Sequence, residues 1–246
     1  MQRPSPWLML VVLLVGILLL REPRFAQVED KFLFWSLAHS PGSGPTVPLT
    51  VVEIGRDALM DPQRAQAVAA EAPQPGSSSA GISPLEFALF LQSVLDFKPG
   101  VIAFENILTW RERDKDQEQV FLDQAMRVPK LLLASELGPT ADPDAPWGEI
   151  RGFAQVEGNR GNLPPFSGID RQPNEDLRLI ATPGYINLPD GFSSGTRVPL
   201  LFLYRGEVIP SFPLQAILLW LRITPAEVKV VLGSHIGLPQ DRRIPI

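Results

Sequence analysis

"SPLEFALFLQSVLDFKPGVIAFEN" (residues 83–106) decides the fold. Ser83 is of the type that caps a helix, Pro84 suits the first helical position, and Glu86, three residues after Ser83, completes a capping box. The spacing predicts a helix over residues 84–96 with a narrow polar stripe of Glu86, Gln92, Ser93 and Asp96, so most of its surface must pack on a sheet. "KPG" ends it. "VIAF" (101–104) is then apolar at every position, as in a strand covered on both faces of a parallel sheet.

Upstream, "LTVVEIG" (49–55) is a β-branched run of strand length, and a strand, helix and strand of these lengths form a right-handed βαβ unit. Downstream the unit repeats. "DKDQEQVFLDQAM" (114–126) predicts a polar helix with Val120, Phe121 and Met126 inward, and "KLLLASE" (130–136) predicts a third apolar strand. The expected fold class is α/β: a mixed sheet with a central parallel βαβαβ unit, extended by antiparallel strands. The extension comes from "IATPGYINLP" (180–189), "RVPLLFLYRGEVI" (197–209) and "EVKVVLG" (227–233). Between the last two, "SFPLQAILLWLRI" (211–223) predicts a helix with Leu214, Ile217, Leu218 and Leu221 on one face. Residues 61–80 read as a mobile insertion, and residues 138–176, dominated by Pro, Gly, Asn and Asp, as long loops.

A chain of 246 residues with 45% apolar composition has enough apolar surface for a core. Its net charge is -5 and its Lys and Arg are scattered, which excludes nucleic acid as a partner. It has no cysteine, hence no disulfide, thiolate metal site or cysteine nucleophile.

"PWLMLVVLLVGILLL" (6–20) is uncharged and bounded by Arg3 and "REPR". A cleavage site needs small residues where Arg21, Glu22, Pro23 and Arg24 stand, so residues 1–24 are expected to be an uncleaved signal anchor, a transmembrane helix that makes the membrane a partner. Residues 25–39 follow as an amphipathic helix with Val28, Phe32 and Trp35 at helical spacing, a surface through which a homodimer is expected.

Glu53, Glu105 and Glu136 each fall at the carboxyl end of a predicted parallel strand, the edge of an α/β sheet where ligands bind. Asp57 lies just beyond the first. Such carboxylates can bind a cation, hold an amine-bearing ligand or act as acid and base; each also suits a helix cap or an Arg partner, the commoner role. "GFSSG" (191–195) matches a nucleophile elbow on Ser193, with Glu207 or Glu227 and then His235 in hydrolase order, but a strand follows where the elbow needs a helix. His39 and His235 are not at metal-ligand spacing, and no glycine-rich phosphate loop follows a strand, so no catalytic residue, metal or cofactor is expected.

The order "LTVVEIGRDAL", "SPLEFALFLQSVLDFKPGVIAFENIL", "DQEQVFLDQAM", "KLLLASELG", "GYINLPD", "RVPLLFLYRGEVIPSFPLQA" and "VKVVLGSHIGLP" resembles the CHASE2 domain family, the extracytoplasmic sensory domains of bacterial membrane receptors. Gly55 stands where the family usually has Asp, and Glu105 where it has another Asp. The family's "DG…R" turn takes the stretched form Asp190, Gly191 and Arg197, which makes Arg197 a candidate partner for the acids. The resemblance implies a single-pass inner-membrane protein whose residues 25–246 form a sensor on the periplasmic side for a small-molecule or envelope stimulus, expected to be either a fragment of a longer signalling chain or a stand-alone sensor. A membrane-anchored serine hydrolase using Ser193 and His235, and a non-catalytic envelope scaffold, are the competing expectations.

Overall fold

The computed structural model describes residues 31–32, 35–36, 39, 48–52, 83–110, 115–141, 151–188 and 198–246. The predicted anchor and the 61–80 insertion lie outside them. Among the described residues, no helix is long and apolar enough to cross a membrane. The chain divides into two compact units, residues 1–52 with 190–198, and residues 53–189 with 199–246.

In the first unit Lys31, Phe32, Trp35, Ser36 and His39 are helical, within the predicted amphipathic segment. Phe32 stacks on Trp35 at 6.1 Å and Trp35 on His39 at 4.8 Å. The described part of the predicted first strand, residues 49–52, is exposed and has no regular structure, and residues 53–55 lie outside the description. Composition alone does not make a strand; an apolar run needs a neighbour to pair with.

In the second unit the capping box forms as the sequence dictates. Glu86 Oε2 accepts from the Ser83 N–H at 2.8 Å, Ser83 Oγ accepts from the Glu86 N–H at 3.3 Å, and α1 (Pro84–Leu95) begins there. Its buried residues are Pro84, Phe87, Ala88 and Leu91, while Leu85 and Leu89 face solvent, so α1 is covered on one side only. β1 (Ile102–Phe104) buries Ile102 and Phe104 but exposes Ala103. The expectation of a strand covered on both faces fails here. In α2 (Lys115–Ala125) the inward residues are Glu118, Phe121, Leu122 and Ala125. Val120 and Met126, expected inward, are exposed, because Phe121 anchors a stripe that leaves both on the outer side.

β2 (Leu131–Gly138) is the strand buried on both faces. Its register with β1 is parallel, Phe104 opposite Leu133. The remaining elements come from stretches shorter than their predictions, from the predicted loops or, for the last two strands, from residues given no element: β3 (Gln155–Glu157), a 3-10 turn (Arg160–Asn162), β4 (Pro165–Phe166), β5 (Gly168–Arg171), α3 (Glu175–Ile180), β6 (Thr182–Tyr185), β7 (Leu201–Tyr204), β8 (Glu207–Pro210), α4 (Phe212–Leu221), a second 3-10 turn (Pro225–Glu227), β9 (Lys229–Val231), β10 (His235–Leu238) and β11 (Arg242–Pro245). Residues 138–176 therefore hold three short strands, a 3-10 turn and the start of a helix where long loops were expected.

The molecule is a mixed α/β structure with parallel and antiparallel sheets. β2 pairs in parallel with β1 and with β6, and its far end pairs antiparallel with β5. The third parallel strand is thus β6. A second sheet runs β11-β10-β9-β3 and a third β4-β7-β8. The β7–β8 hairpin turns on Arg205 and Gly206, both at positive φ (48° and 87°), as a two-residue turn of the primed type requires.

One core cluster joins Phe87, Leu91, Phe121, Leu122 and Leu177 of the helices to Ile102, Phe104, Leu131 and Leu133, so α1, α2 and α3 cover one face of the first sheet. The opposite face receives α4. A Cβ at Gly184 of β6 would lie 2.6 Å from Phe212 Cδ2 and 3.0 Å from Leu132 Cδ1, so only glycine admits the ring there.

Two serines hold the same position before a helix with different consequences. Ser83 donates and accepts within its capping box, whereas Ser211, before α4, is 1% exposed and its hydroxyl has no partner among the described residues. In urea unfolding, Ser83→Ala is expected to cost about 1 kcal/mol. Ser211→Ala is expected to be neutral or stabilising, because it removes an unpaired buried hydroxyl. The carboxylate of Glu227 gives a pH test. It accepts from the Thr224 N–H at 2.8 Å and from Thr224 Oγ1 at 2.7 Å, and these bonds, the backbone one first, lower its pKa from 4.5. A lowered folded pKa contributes stability above the unfolded value that is lost as pH falls through the folded one. The stability difference between wild type and Glu227→Gln should hold constant down to about pH 4.5 and shrink below it.

Candidate functional site

The carboxyl ends of β1 and β2 form one rim, and on it stand Glu105, exposed just beyond β1, and Glu136, inside β2. Of the five candidate ligand residues these two are brought to the same edge. Glu53, Asp57 and Arg197 lie outside the described residues, as does Ser193. Glu136 already has a cation. Arg171 lies opposite it on β5, its Nε donates to Glu136 Oε2 at 2.6 Å, and its Nη2 pairs with the same oxygen. The two side chains are 42% and 29% exposed, a setting in which such a pair contributes about 0–1 kcal/mol. Glu136 is thus a cross-strand partner in this structure.

The third parallel strand leads into an amide. Asn187, two residues past β6, accepts from the Leu137 N–H through Oδ1 and donates to the Leu137 carbonyl through Nδ2, both at 2.8 Å. Its side chain thereby continues the β6 ladder where the backbone of β6 has ended. Alternation along a strand sends the peptide groups of Glu136 and Gly138 to the other edge, where β5 takes them up. Sequence reasoning placed Asn187 inside the stretch "IATPGYINLP" that extends the sheet and gave its side chain no role.

Beside these strand ends lies an open cavity of about 140 Å³. Leu133 and Ser135 line it from β2, Pro183 and Tyr185 from β6, Ile169 from β5, and Gln172, Pro173, Arg178 and Ala181 from the segment around α3. Alternation puts Glu136 on the opposite face of β2 from Leu133 and Ser135, so the predicted acid points away from the cavity. Among the described residues no carboxylate lines it and the one charged group is Arg178, while its hydroxyl-bearing walls include Ser135 and Tyr185. Sequence reasoning named none of these. They come from four separate elements, and nothing in any one of them shows that they meet.

The open cavity mixes in its lining apolar side chains, Leu133, Ile169 and Pro183, with the polar Ser135, Gln172 and Arg178, a composition that ligand sites share. It is close in size to the roughly 150 Å³ apolar cavity that takes benzene. Among the described residues no group of three His, Asp or Glu is placed to hold a metal ion. His235, the base of the hydrolase alternative, sits in β10 with Nδ1 2.9 Å from the hydroxyl of its neighbour Ser234.

Comparison with protein-family models, with curated proteins and with solved structures finds no match for this chain.

The roles of the rim residues separate in a stability measurement. Asn187→Ala leaves the buried Leu137 N–H and carbonyl without their partner and is expected to cost about 1–3 kcal/mol in chemical denaturation. Glu136→Gln removes a half-exposed ion pair and should cost about 1 kcal/mol or less. A larger loss for Glu136→Gln than for Asn187→Ala would contradict these assignments.

Proposed function

We propose that the chain is an extracytoplasmic sensory module of the CHASE2 kind, anchored in the inner membrane by residues 1–24 and binding a small ligand without transforming it. The observation that carries this reading is the cavity at the carboxyl ends of parallel strands, the position where α/β sheets take ligands. The order of apolar blocks along the chain and the uncharged run over residues 6–20 supply its membrane-receptor part.

In this reading the central βαβαβ unit is completed by β6, and the wall from Ile169 to Ala181 is the adjustable side of the cavity. A ligand that binds one arrangement of that wall better than another shifts the population toward it, and the anchor carries the bias across the membrane, the two chains of a homodimer moving together.

The test is thermal denaturation of the full chain in detergent against a panel of small metabolites of about benzene size. A ligand present at a hundred times its dissociation constant should stabilise the protein by about 2.7 kcal/mol. Ala181→Leu, which narrows the cavity from its half-buried wall, should abolish the shift while leaving the unliganded transition in place. A panel that stabilises the Ala181→Leu chain as much as the wild type would place the ligand elsewhere and overturn the assignment.

A further inference from the structure

Opposite the rim, three turns of the chain are tied together at the amino-terminal ends of β1 and β2. A Cβ at Gly100, in the turn after α1, would lie 4.0 Å from Trp220 Cδ1 of α4. The Ile102 N–H donates to the Lys130 carbonyl at 3.0 Å, and Lys130 Nζ donates to the Leu219 carbonyl, in the last turn of α4, at 2.6 Å. The carboxyl ends of α1, α2 and α4 therefore share one end of the molecule.

That end exposes large apolar side chains: Phe97 is 85% exposed, Met126 62% and Trp220 54%. Each has a cation within two residues in the chain, Lys98, Arg127 and Arg222, all exposed. Lys98 and Arg222 follow α1 and α4 at positive φ, 53° and 59°, positions that helices usually give to Gly or Asn. With Lys130, four cations stand here, among the described residues, against the acids Asp96 and Asp123 of the last turns, on a chain whose net charge is -5. Aromatic and long apolar side chains spaced on turns and interleaved with cations match the interfacial layer of a bilayer, where rings sit at headgroup depth and cations meet anionic lipid.

We propose that this end, through Phe97, Met126 and Trp220 with Lys98, Arg127 and Arg222, docks on an anionic phospholipid surface. The surface lies at the amino-terminal ends of the strands whose carboxyl ends border the cavity, so docking leaves the cavity open. It depends on neither the ligand nor the sensory reading.

The absence of cysteine from the sequence makes the test direct. Met126→Cys and, as a control on α3, Leu179→Cys (80% exposed) carry an environment-sensitive fluorophore in the full chain, reconstituted in vesicles of phosphatidylcholine with or without phosphatidylglycerol. Quenchers borne on the lipid should reach the label at 126 and not that at 179, and only when phosphatidylglycerol is present. The Lys98→Gln, Arg222→Gln double variant, checked for its fold by circular dichroism, should shift the docked-to-free ratio roughly thirtyfold toward free, and high salt should act in the same direction. A label at 126 that lipid quenchers never reach overturns the proposal. Protection of that label from aqueous iodide without lipid quenching would mark a protein-facing surface and overturns it equally, as would a double variant that docks unchanged.

Discussion

Burial of β2 on both faces is the constraint on which the remaining architecture depends. Residues Leu131, Leu132, Leu133 and Ala134 are all buried, and a strand of this kind cannot lie at a surface. Each buried leucine contributes about 1.5–3 kcal/mol relative to exposure, so both faces must be covered at once. α1, α2 and α3 cover one face through Phe87, Phe121 and Leu177, and α4 covers the other through Phe212, which approaches so closely that position 184 must be glycine.

The edges of β2 follow the same rule, since an unpaired backbone group in a buried strand is costly. β1 and β6 flank its first half. Its second half outlasts both, and there the chain turns to β5 on one edge and to the amide of Asn187 on the other. The open cavity lies where the cover of this sheet passes from the apolar helical layer to the Ile169–Ala181 segment. The strand thus serves both: its apolar half fixes the platform, and Leu133 and Ser135 of its middle border the open cavity.

How much of this is legible in the sequence depends on how local the causes are. The capping box at Ser83, the helix after it and the apolar run of β2 are readable because the residues that produce them are neighbours in the chain. The pairing of β6 is not. The stretch holding "TPGY" was expected to extend the sheet antiparallel; its Pro and Gly are poor strand formers, and it runs parallel because β2 offers it an edge there and Phe212 needs the glycine. The same reason explains the inward and outward residues of α2: periodicity shows that a helix has an apolar side, but the sheet beneath decides that Phe121 is covered and Met126 is not. Of the acids, Glu105 and Glu136 lie near strand ends as expected, yet the partner of Glu136 was not legible, since Arg171 is 35 positions away and meets it only through antiparallel pairing. The cavity is still less local, drawing Ser135, Arg178 and Tyr185 from three different elements.

Platform and wall differ in stability in this account, and amide hydrogen exchange on the full chain measures that difference directly. The amides of Leu132, Leu133 and Ala134 should exchange only through global unfolding, while those between Ile169 and Ala181 should exchange through local opening at lower free energy. Exchange of the β2 amides at the rate of the Ile169–Ala181 wall would show that the strand is no fixed platform, and the account built on it would fail.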